Sequence, residues 1–419
     1  MKFVLNRLST WVCLALALVL VFEIGSRADD SAPAFRVLTY NVWGIFNAKA
    51  RQFRMEKIPE AIAALNPDAV CLEECFRNQD LHTIENRLRQ LGYPVETIYQ
   101  KELNYGSGVV LISRYPAEHI EFEPYRIKGE PYSYEREAGR GATHARLKTP
   151  SGPVDFFCTH AMPRMNLIFD AQGNYLDADA KQTDRLLQMV EVSQMVERMR
   201  DPDGASVIVA GDFNVSPEML EYQLLLAAGG FRSSFSTLYP GENPTTYTRQ
   251  GNEFATVEAS RLDHILYRNY PGSVGHRLEP VEARIVMKEL APDPKLGRSI
   301  PLSDHWGMFT VFALRAPAEL EPDPAPPAAK DRRPADFYLP AIQSGTIELT
   351  AENRAAWQAL ARAVLENLIA QGRHKSPLVR PASEILAGWS AQEGKPQVHL
   401  DPRQQKLFEG FLKQSLSDE

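Results

Sequence analysis

Between Pro33 and Arg315 the chain alternates short apolar, β-rich runs with segments of helical periodicity, and this alternation limits what it can become. Strands are predicted at Arg36–Asn41, Ala69–Glu74, Val109–Ser113, Thr143–Leu147, Val154–His160, Val207–Asp212, Leu262–Tyr267 and His305–Phe312. Helices are predicted at Phe53–Leu65, Leu81–Leu91, Thr183–Met199 and Pro217–Ala227. Several of the strands are apolar throughout, as strands covered on both faces are. Strands interleaved with helices in this way belong to an α/β architecture. With 44% hydrophobic and 24% charged residues, the composition excludes whole-chain disorder, collagen-like repeats and coiled coil.

The two ends read differently. Lys2 and Arg7 precede an apolar run, Trp11–Phe22, which falls short of the roughly 20 residues a membrane span needs. Ser26-Arg27-Ala28 follows with small residues at the two positions a signal peptidase reads. Residues 1–28 are therefore expected to be a cleaved signal peptide, and the protein to be secreted or periplasmic; an uncleaved signal anchor is the rival reading. The α/β region fills 29–315. Residues 316–336 are rich in Pro, Ala and charge, a linker composition. In 337–419, Trp357, Leu360, Ala361, Val364, Leu365 and Leu368 recur at helical spacing, and Leu407, Phe408, Phe411, Leu412 and Leu416 form a second stripe. This C-terminal region is expected to be a small helical appendage that buries the stripes on itself or on the main domain.

Four cysteines are too few for a disulfide framework, and Cys13 leaves with the leader. Cys71 and Cys75, four apart in a strand-like run, would have Cα atoms about 13 Å apart, beyond disulfide reach. Buried thiols are expected.

The informative regularity is where the strands end. The first ends at Asn41, the second at Glu74, the fifth at His160 and the sixth at Asp212, with Asn214 close behind; Asp263 and the Asp304–His305 pair flank two more. Polar groups are costly inside apolar runs, so their recurrence at strand ends describes a site on one rim of a sheet assembly. The set offers carboxylates, Asn and His, without a Ser or Cys nucleophile motif. Carboxylate oxygens suit a hard cation such as Mg2+, with Mn2+ as the alternative. No HExxH or Cys/His cluster of the kind Zn2+ recruits is present. A His held by a carboxylate can take a proton from water, and metal plus activated water is the inventory of phosphoester hydrolysis. Each motif alone has a plainer reading: Ser303-Asp304-His305 recurs by chance, and Asp212–Asn214 also suits an Asx turn after a strand.

Their joint order is more specific. The segments Leu38–Ile45 (LTYNVWGI), Cys71–Glu74 (CLEE), Gly106–Pro116 (GSGVVLISRYP), Thr159-His160, Gly211–Asn214 (GDFN), Arg261–Tyr267 (RLDHILY) and Pro301–His305 (PLSDH) resemble the endonuclease/exonuclease/phosphatase superfamily, and within it the neutral sphingomyelinases. The resemblance covers nearly all of 35–314. It implies a four-layer α/β/β/α sandwich of the DNase I-like type, here with a small helical C-terminal extension. It also implies roles. Glu74 resembles the metal-binding Glu, with Glu73 on the opposite face of the strand; Asn41 supports the metal and phosphate end; Asp212 and Asn214 position water and phosphate. His305 is the general base, Asp263 its orienting carboxylate, Asp304 a further metal-side carboxylate, and His160 a phosphate-binding His.

After His160 the chain departs from the sphingomyelinase pattern. Met162, Met165, Leu167, Ile168 and Phe169 are expected either to form an apolar lip that meets lipid or to fold onto the core. Tyr132 and Tyr134 are candidates for cation–π contact with a choline headgroup.

The expected activity is Mg2+-dependent hydrolysis of sphingomyelin or a related phospholipid to a lipid alcohol and phosphocholine, by His-activated water. The expected partner is therefore a phospholipid or membrane surface. A net charge of −7 argues against nucleic acid as partner. No protein partner is implied. The alternatives are a nuclease or soluble phosphatase of the same superfamily, and a non-catalytic binding domain on this fold.

Overall fold

A computed structural model describes residues 33–417 apart from short internal stretches, the longest being 127–138, 317–337 and 388–396. The leader, nearly all of the linker and the Tyr132–Tyr134 segment lie outside the described residues, as do Met165 and Leu167. Among the described residues, no helix is long and apolar enough to cross a membrane.

Twelve strands make two six-stranded sheets. The first sheet holds β1 (Ala34–Asn41), β2 (Ala69–Glu73), β3 (Thr97–Tyr99), β4 (Val110–Ser113), β11 (Arg277–Val286) and β12 (Gly307–Arg315), in the order β11-β12-β1-β2-β4-β3. The second holds β5 (Ala117–Pro124), β6 (Gly141–Thr149), β7 (Gly152–His160), β8 (Ser206–Asp212), β9 (Arg232–Ser233) and β10 (Asp263–Arg268), in the order β9-β10-β8-β7-β6-β5. Each sheet has a parallel pair at its centre, β1 with β2 and β7 with β8, and antiparallel neighbours around it. A parallel pair delivers two C-terminal ends to the same rim. Asn41 lies in register with Glu73, and Asp212 with both His160 and Asp263.

Helices α1 (Arg51–Leu65) and α2 (Asn78–Gln90) cover the outer face of the first sheet. Met55, Ile58, Ile62, Ile84 and Leu88 bury against Leu38, Tyr40, Val70, Leu72, Val110 and Ile112. Helices α3 (Gln182–Met199) and α4 (Leu220–Gly229) cover the second, where Met189, Val192, Met195 and Leu225 meet Phe157, Val207, Val209 and Leu266. Between the sheets lies a third apolar layer, with Phe35, Val37, Leu111, Phe156, Ile208 and Tyr267 fully or almost fully buried. The layers are α/β/β/α, as expected. Strands β3, β5, β9 and β11 were not legible in the sequence. β3 and β9 are only three and two residues long, and β5 and β11 carry charged residues such as Glu118, Glu121 and Glu282 that blur the apolar pattern.

The expectation of free thiols is corrected at one pair. Cys71 of β2 and Cys158 of β7 form a disulfide, with Cα atoms 5.3 Å apart. Cys71 and Cys75 do not pair, as their spacing requires, but alternation turns Cys71 toward the other sheet, where Cys158 faces it. Local spacing carries no signal of a partner in the opposite sheet. The two sheets close in here to well under the ~10 Å usual for packed sheets. Cys75 remains a buried free thiol on the helix side of β2.

The C-terminal region forms α6 (Arg354–Ala370), α7 (Val379–Ala387) and α8 (Pro402–Ser417), with a two-stranded ladder of Thr346–Glu348 and Gln397–His399. A short helix, α5 (Ser234–Leu238), precedes them in the main domain. Trp357, Ala361, Val364, Leu365, Phe408 and Leu412 bury in one cluster that includes Leu187 of α3, and α7 packs on α4. The apolar stripes are thus satisfied against each other and the helix layer.

Candidate active site

The rim ends of β1, β2, β7, β8 and β10 carry Asn41, Glu73, His160, Asp212 and Asp263, and the register explains why they converge. Asn41, at the end of β1, donates from Nδ2 to Asp212 Oδ2 at 3.0 Å, linking one sheet to the other. Its Oδ1 accepts the Trp43 N–H at 2.9 Å, and its main-chain carbonyl accepts the Ser303 hydroxyl at 2.6 Å. Ser303 in turn accepts the His305 N–H at 3.2 Å, so the loop before β12 is tied to the end of β1.

His305 Nδ1 lies 2.8 Å from Asp263 Oδ2, and its Nε2 end faces Asp212 Oδ2 at 3.8 Å. Its ring and that of Tyr247 meet in a T-shaped arrangement, with centroids 4.9 Å apart. Burial alone would lower the His305 pKa, but the charges of Asp263 and Asp212 outweigh it and hold the imidazole well above its ordinary value. Asp212 is pushed up to about 7, by burial first, with Asp263 adding to the rise and His305 opposing it. Its Oδ1 accepts the Asn214 N–H at 2.9 Å, while the Asn214 side chain donates to the Ala161 carbonyl at 3.0 Å. Asn214 takes a left-handed φ of 53°, which Asn tolerates better than most residues.

His160 is buried, and neither ring nitrogen has a hydrogen-bond partner among the described residues. Its Nε2 points between Asp212 Oδ2 at 3.5 Å and Glu74 Oε1 at 4.0 Å. Burial, with the nearby charges of Arg140 and His305, keeps its pKa well below the usual value, so the ring is neutral near pH 7.

Glu73 and Glu74 diverge as their positions on β2 require, yet both approach the site. Glu74 leaves the strand with φ 59° and turns its half-buried carboxylate toward His160 and Asp304. Gly44 permits this turn: a Cβ there would lie 2.2 Å from the Glu74 carbonyl oxygen. Glu73 faces the inter-sheet layer, where Oε1 accepts the Thr39 hydroxyl at 2.6 Å and Oε2 has no hydrogen-bond partner among the described residues. Burial, then the charge of Asp263, holds Glu73 well above the usual carboxylate range. Asp304 rises to about 6, from burial first, with Glu74 adding to the rise and His305 opposing it.

Five acids thus crowd around two imidazoles. Asp212, Asp263 and His305 place ligand-type atoms within 4.8 Å of one another, but the contact with Asp263 already occupies Nδ1 of His305, which leaves its Nε2 side facing Asp212. Glu74 and Asp304 are different. Both are partly open, both offer only oxygen, and the charge of Glu74 adds to the rise at Asp304. That is the donor chemistry of a hard cation. Cys71, Glu73 and Cys158 also lie close together, but the disulfide removes both sulfurs as ligands.

The profile described as "Endonuclease/Exonuclease/phosphatase family" matches residues 38–305, a span that begins three residues before Asn41 and ends on His305. The chain belongs to that family. Over 315 residues it is 26% identical to the inositol phosphosphingolipids phospholipase C of Schizosaccharomyces pombe, covering 68% of this chain and 70% of that one. It is 24% identical over 312 residues to sphingomyelin phosphodiesterase 2 of Rattus norvegicus, covering 68% and 67%. The solved structure of truncated Caenorhabditis elegans TDP2 superposes with a TM-score of 0.50 at 16% identity, over 67% of this chain and 97% of that one. This last likeness establishes the fold alone.

The structure brings together Asn41, Glu74, His160, Asp212, Asn214, Asp263, Asp304 and His305, all eight residues singled out in the sequence. Met162, for which a lipid-facing lip and a place in the core were both expected, takes the second: it is fully buried, and its N–H donates to Gln188 at 2.8 Å. One contributor was missed. Arg54 of α1 is buried and donates to four carbonyls, those of Val42, Trp43, Lys49 and Leu302, at 2.7, 2.8, 2.9 and 3.1 Å. Burial pulls its guanidinium down to about 10. A charged residue among Met55, Ile58 and Ile62 on one helix face was the available signal.

Proposed function

We propose that the protein is a metal-dependent phosphodiesterase that cleaves phosphosphingolipids on the phosphate–lipid side, with sphingomyelin as first substrate and phosphocholine and ceramide as products. The observation that carries this reading is the His305–Asp263 contact set opposite the buried, unpartnered His160. One imidazole is oriented for proton transfer, and the other is kept neutral beside it, with a free N–H to offer an oxyanion. The two lipid-cleaving relatives that match two thirds of the chain support the substrate class.

Asp263 fixes the proton on His305 Nδ1 and leaves Nε2 as the end that receives a proton from water. Asp212, held between Asn41 and the Asn214 N–H, stands beside Nε2 and can accept a hydrogen bond from that water. His160 donates to a phosphate oxygen, and Asn214 borders the same space. Glu74 and Asp304 would hold Mg2+, which when bound supplies positive charge to the phosphate and the departing alkoxide. The same positive charge would offset the carboxylates that keep His305 protonated. The disulfide supports an oxidising compartment, consistent with secretion or export to a periplasm.

The test is a hydrolysis panel of sphingomyelin, phosphatidylcholine, an inositol phosphosphingolipid, a soluble phosphate monoester and DNA, each with Mg2+ and with EDTA. Phosphocholine release that needs Mg2+ and is strongest with sphingomyelin is expected. DNA or the monoester as the best substrate, or turnover that resists EDTA, would overturn the proposal.

A further inference from the structure

A second cluster of metal-type ligands lies on the outer face of the second sheet, away from the catalytic rim. His119 and Glu121, two apart on the edge strand β5, point the same way by alternation. Glu121 lies in register with His144 of β6, and His119 sits diagonally across the ladder. His119 Nε2 is 3.4 Å from Glu121 Oε1, and His144 Nδ1 is 3.8 Å from the same oxygen. One ligand atom from each of the three residues falls within 4.8 Å of the others. Ligands about 2.0–2.1 Å from a tetrahedral Zn2+ stand roughly 3.3 Å apart, so the trio needs only small side-chain rotations to close on one ion.

His144 is the second, independent observation. Its ring is almost completely buried, stacked on Phe157 at 4.4 Å between centroids. Nε2 is 2.9 Å from Asp155 Oδ1, and Asp155 is itself fixed by the Asp201 N–H on its other oxygen at 3.1 Å. That contact sets the tautomer: Nε2 carries the proton and Nδ1 presents a lone pair. Nδ1 is buried and has no hydrogen-bond partner among the described residues. It is aimed at Glu121. A carboxylate behind a histidine whose other nitrogen faces an open position is the arrangement that orients metal-binding imidazoles. His119 and Glu121 are exposed enough to admit an ion and leave a fourth position to water.

We propose that His119, Glu121 and His144 form a Zn2+ site, with Asp155 as the carboxylate that orients His144. Two imidazoles and one carboxylate select Zn2+ over Mg2+, which takes oxygen ligands. The ion joins β5 to β6 and so secures an edge strand that only one neighbour otherwise holds. The site is separate from the catalytic reading and does not depend on it.

The test uses the full chain stripped of metal and held in excess Mg2+, so that the Glu74–Asp304 carboxylates are occupied. Co2+ is added and the visible band of a tetrahedral Co2+ centre is followed, then bleached with Zn2+. One equivalent of Mg2+-resistant Co2+ is expected. Affinity should fall about 10-fold or more in His119→Ala and in Glu121→Gln. Both positions are on an exposed edge, so these variants fold. Glu74→Gln should bind Co2+ like the parent, and Zn2+ should raise the melting temperature of the parent but not of His119→Ala. No Mg2+-resistant band in the parent, or a band unchanged in His119→Ala and Glu121→Gln, would overturn the site. So would a band lost in Glu74→Gln alone.

Discussion

Cys71 and Cys158 are joined across the two sheets, three residues before Glu74 and two residues before His160. The bond lies directly beneath the rim and ties the strand that leads to the candidate metal ligand Glu74 to the strand that ends at the buried His160. It closes a loop over a sequence separation of 87 residues. Replacing both cysteines with Ala should lower unfolding free energy by about 2–5 kcal/mol, read from urea denaturation. Because both sulfurs are buried, reductant without denaturant should leave activity intact. Rapid inactivation of the folded protein by dithiothreitol would show that the cross-link opens in the native state.

His305 and Asp263 act as one unit if the proton leaves water through Nε2. His305→Ala should cut kcat by roughly 10²–10⁴. Asp263→Asn should do nearly as much, because an amide neither fixes the Nδ1–H tautomer nor stabilises the imidazolium. The double variant should lose little more than either single one. Additive losses in kcat would mean that the two residues work separately.

The crowding of acids adds an inverted component to the pH dependence of the metal-free protein's stability. Asp212 and Asp304 titrate at about 7 and about 6 when folded, against an ordinary value of 3.8, and His305 also stands above its own ordinary 6.5. In each case the folded state binds its proton more tightly than the unfolded chain. Stability from these groups is present at low pH and is lost as pH rises, across roughly 4–7 for the two acids and above 6.5 for His305. His160 and His264, which burial keeps neutral, act in the opposite sense as pH falls below about 6.5, and carboxylates with depressed values, such as Glu60 and Glu197, do so below about 4.5. In EDTA, urea unfolding at pH 5 and at pH 8 should show Asp304→Asn shifted by about 1 kcal/mol toward stability at pH 8 relative to the parent, because the variant no longer loses a tightly held proton. A pH 5 to pH 8 difference equal to the parent's would contradict the arrangement.

Much of this was legible because the site is written at strand ends. An apolar run that stops at Asn41, His160 or Asp212 declares both a buried strand and a polar rim, and the sheet order then gathers the ends. What stayed hidden depends on pairing between distant segments. Cys158 shows nothing of Cys71 until two sheets face each other. The His119–Glu121–His144 cluster needs the β5–β6 register, on a strand too charged to be noticed. The burial of Met162 is likewise a tertiary result: its N–H finds Gln188 on α3, and that contact decides between the lip and the core, both of which the sequence left open.

Arg54 shows how far the rim depends on a residue that touches no reacting group. Its guanidinium gathers the carbonyls of Val42, Trp43 and Lys49, from the loop that follows Asn41, with that of Leu302, just before Ser303 and Asp304. It also lies over the Trp43 ring, 4.9 Å from the centroid. The planar fork answers several acceptors at once, which a single ammonium does not. Arg54→Met strands buried carbonyls and should cost about 2–4 kcal/mol of stability. Arg54→Lys should recover part of that stability, since a cation remains, while kcat/KM stays depressed by about 10-fold or more because the loop and Asp304 are no longer held in one geometry. Melting curves and kinetics on the same preparations separate the two effects. If Arg54→Lys kept both stability and kcat/KM, the carbonyl cluster would be incidental to the position of Asp304.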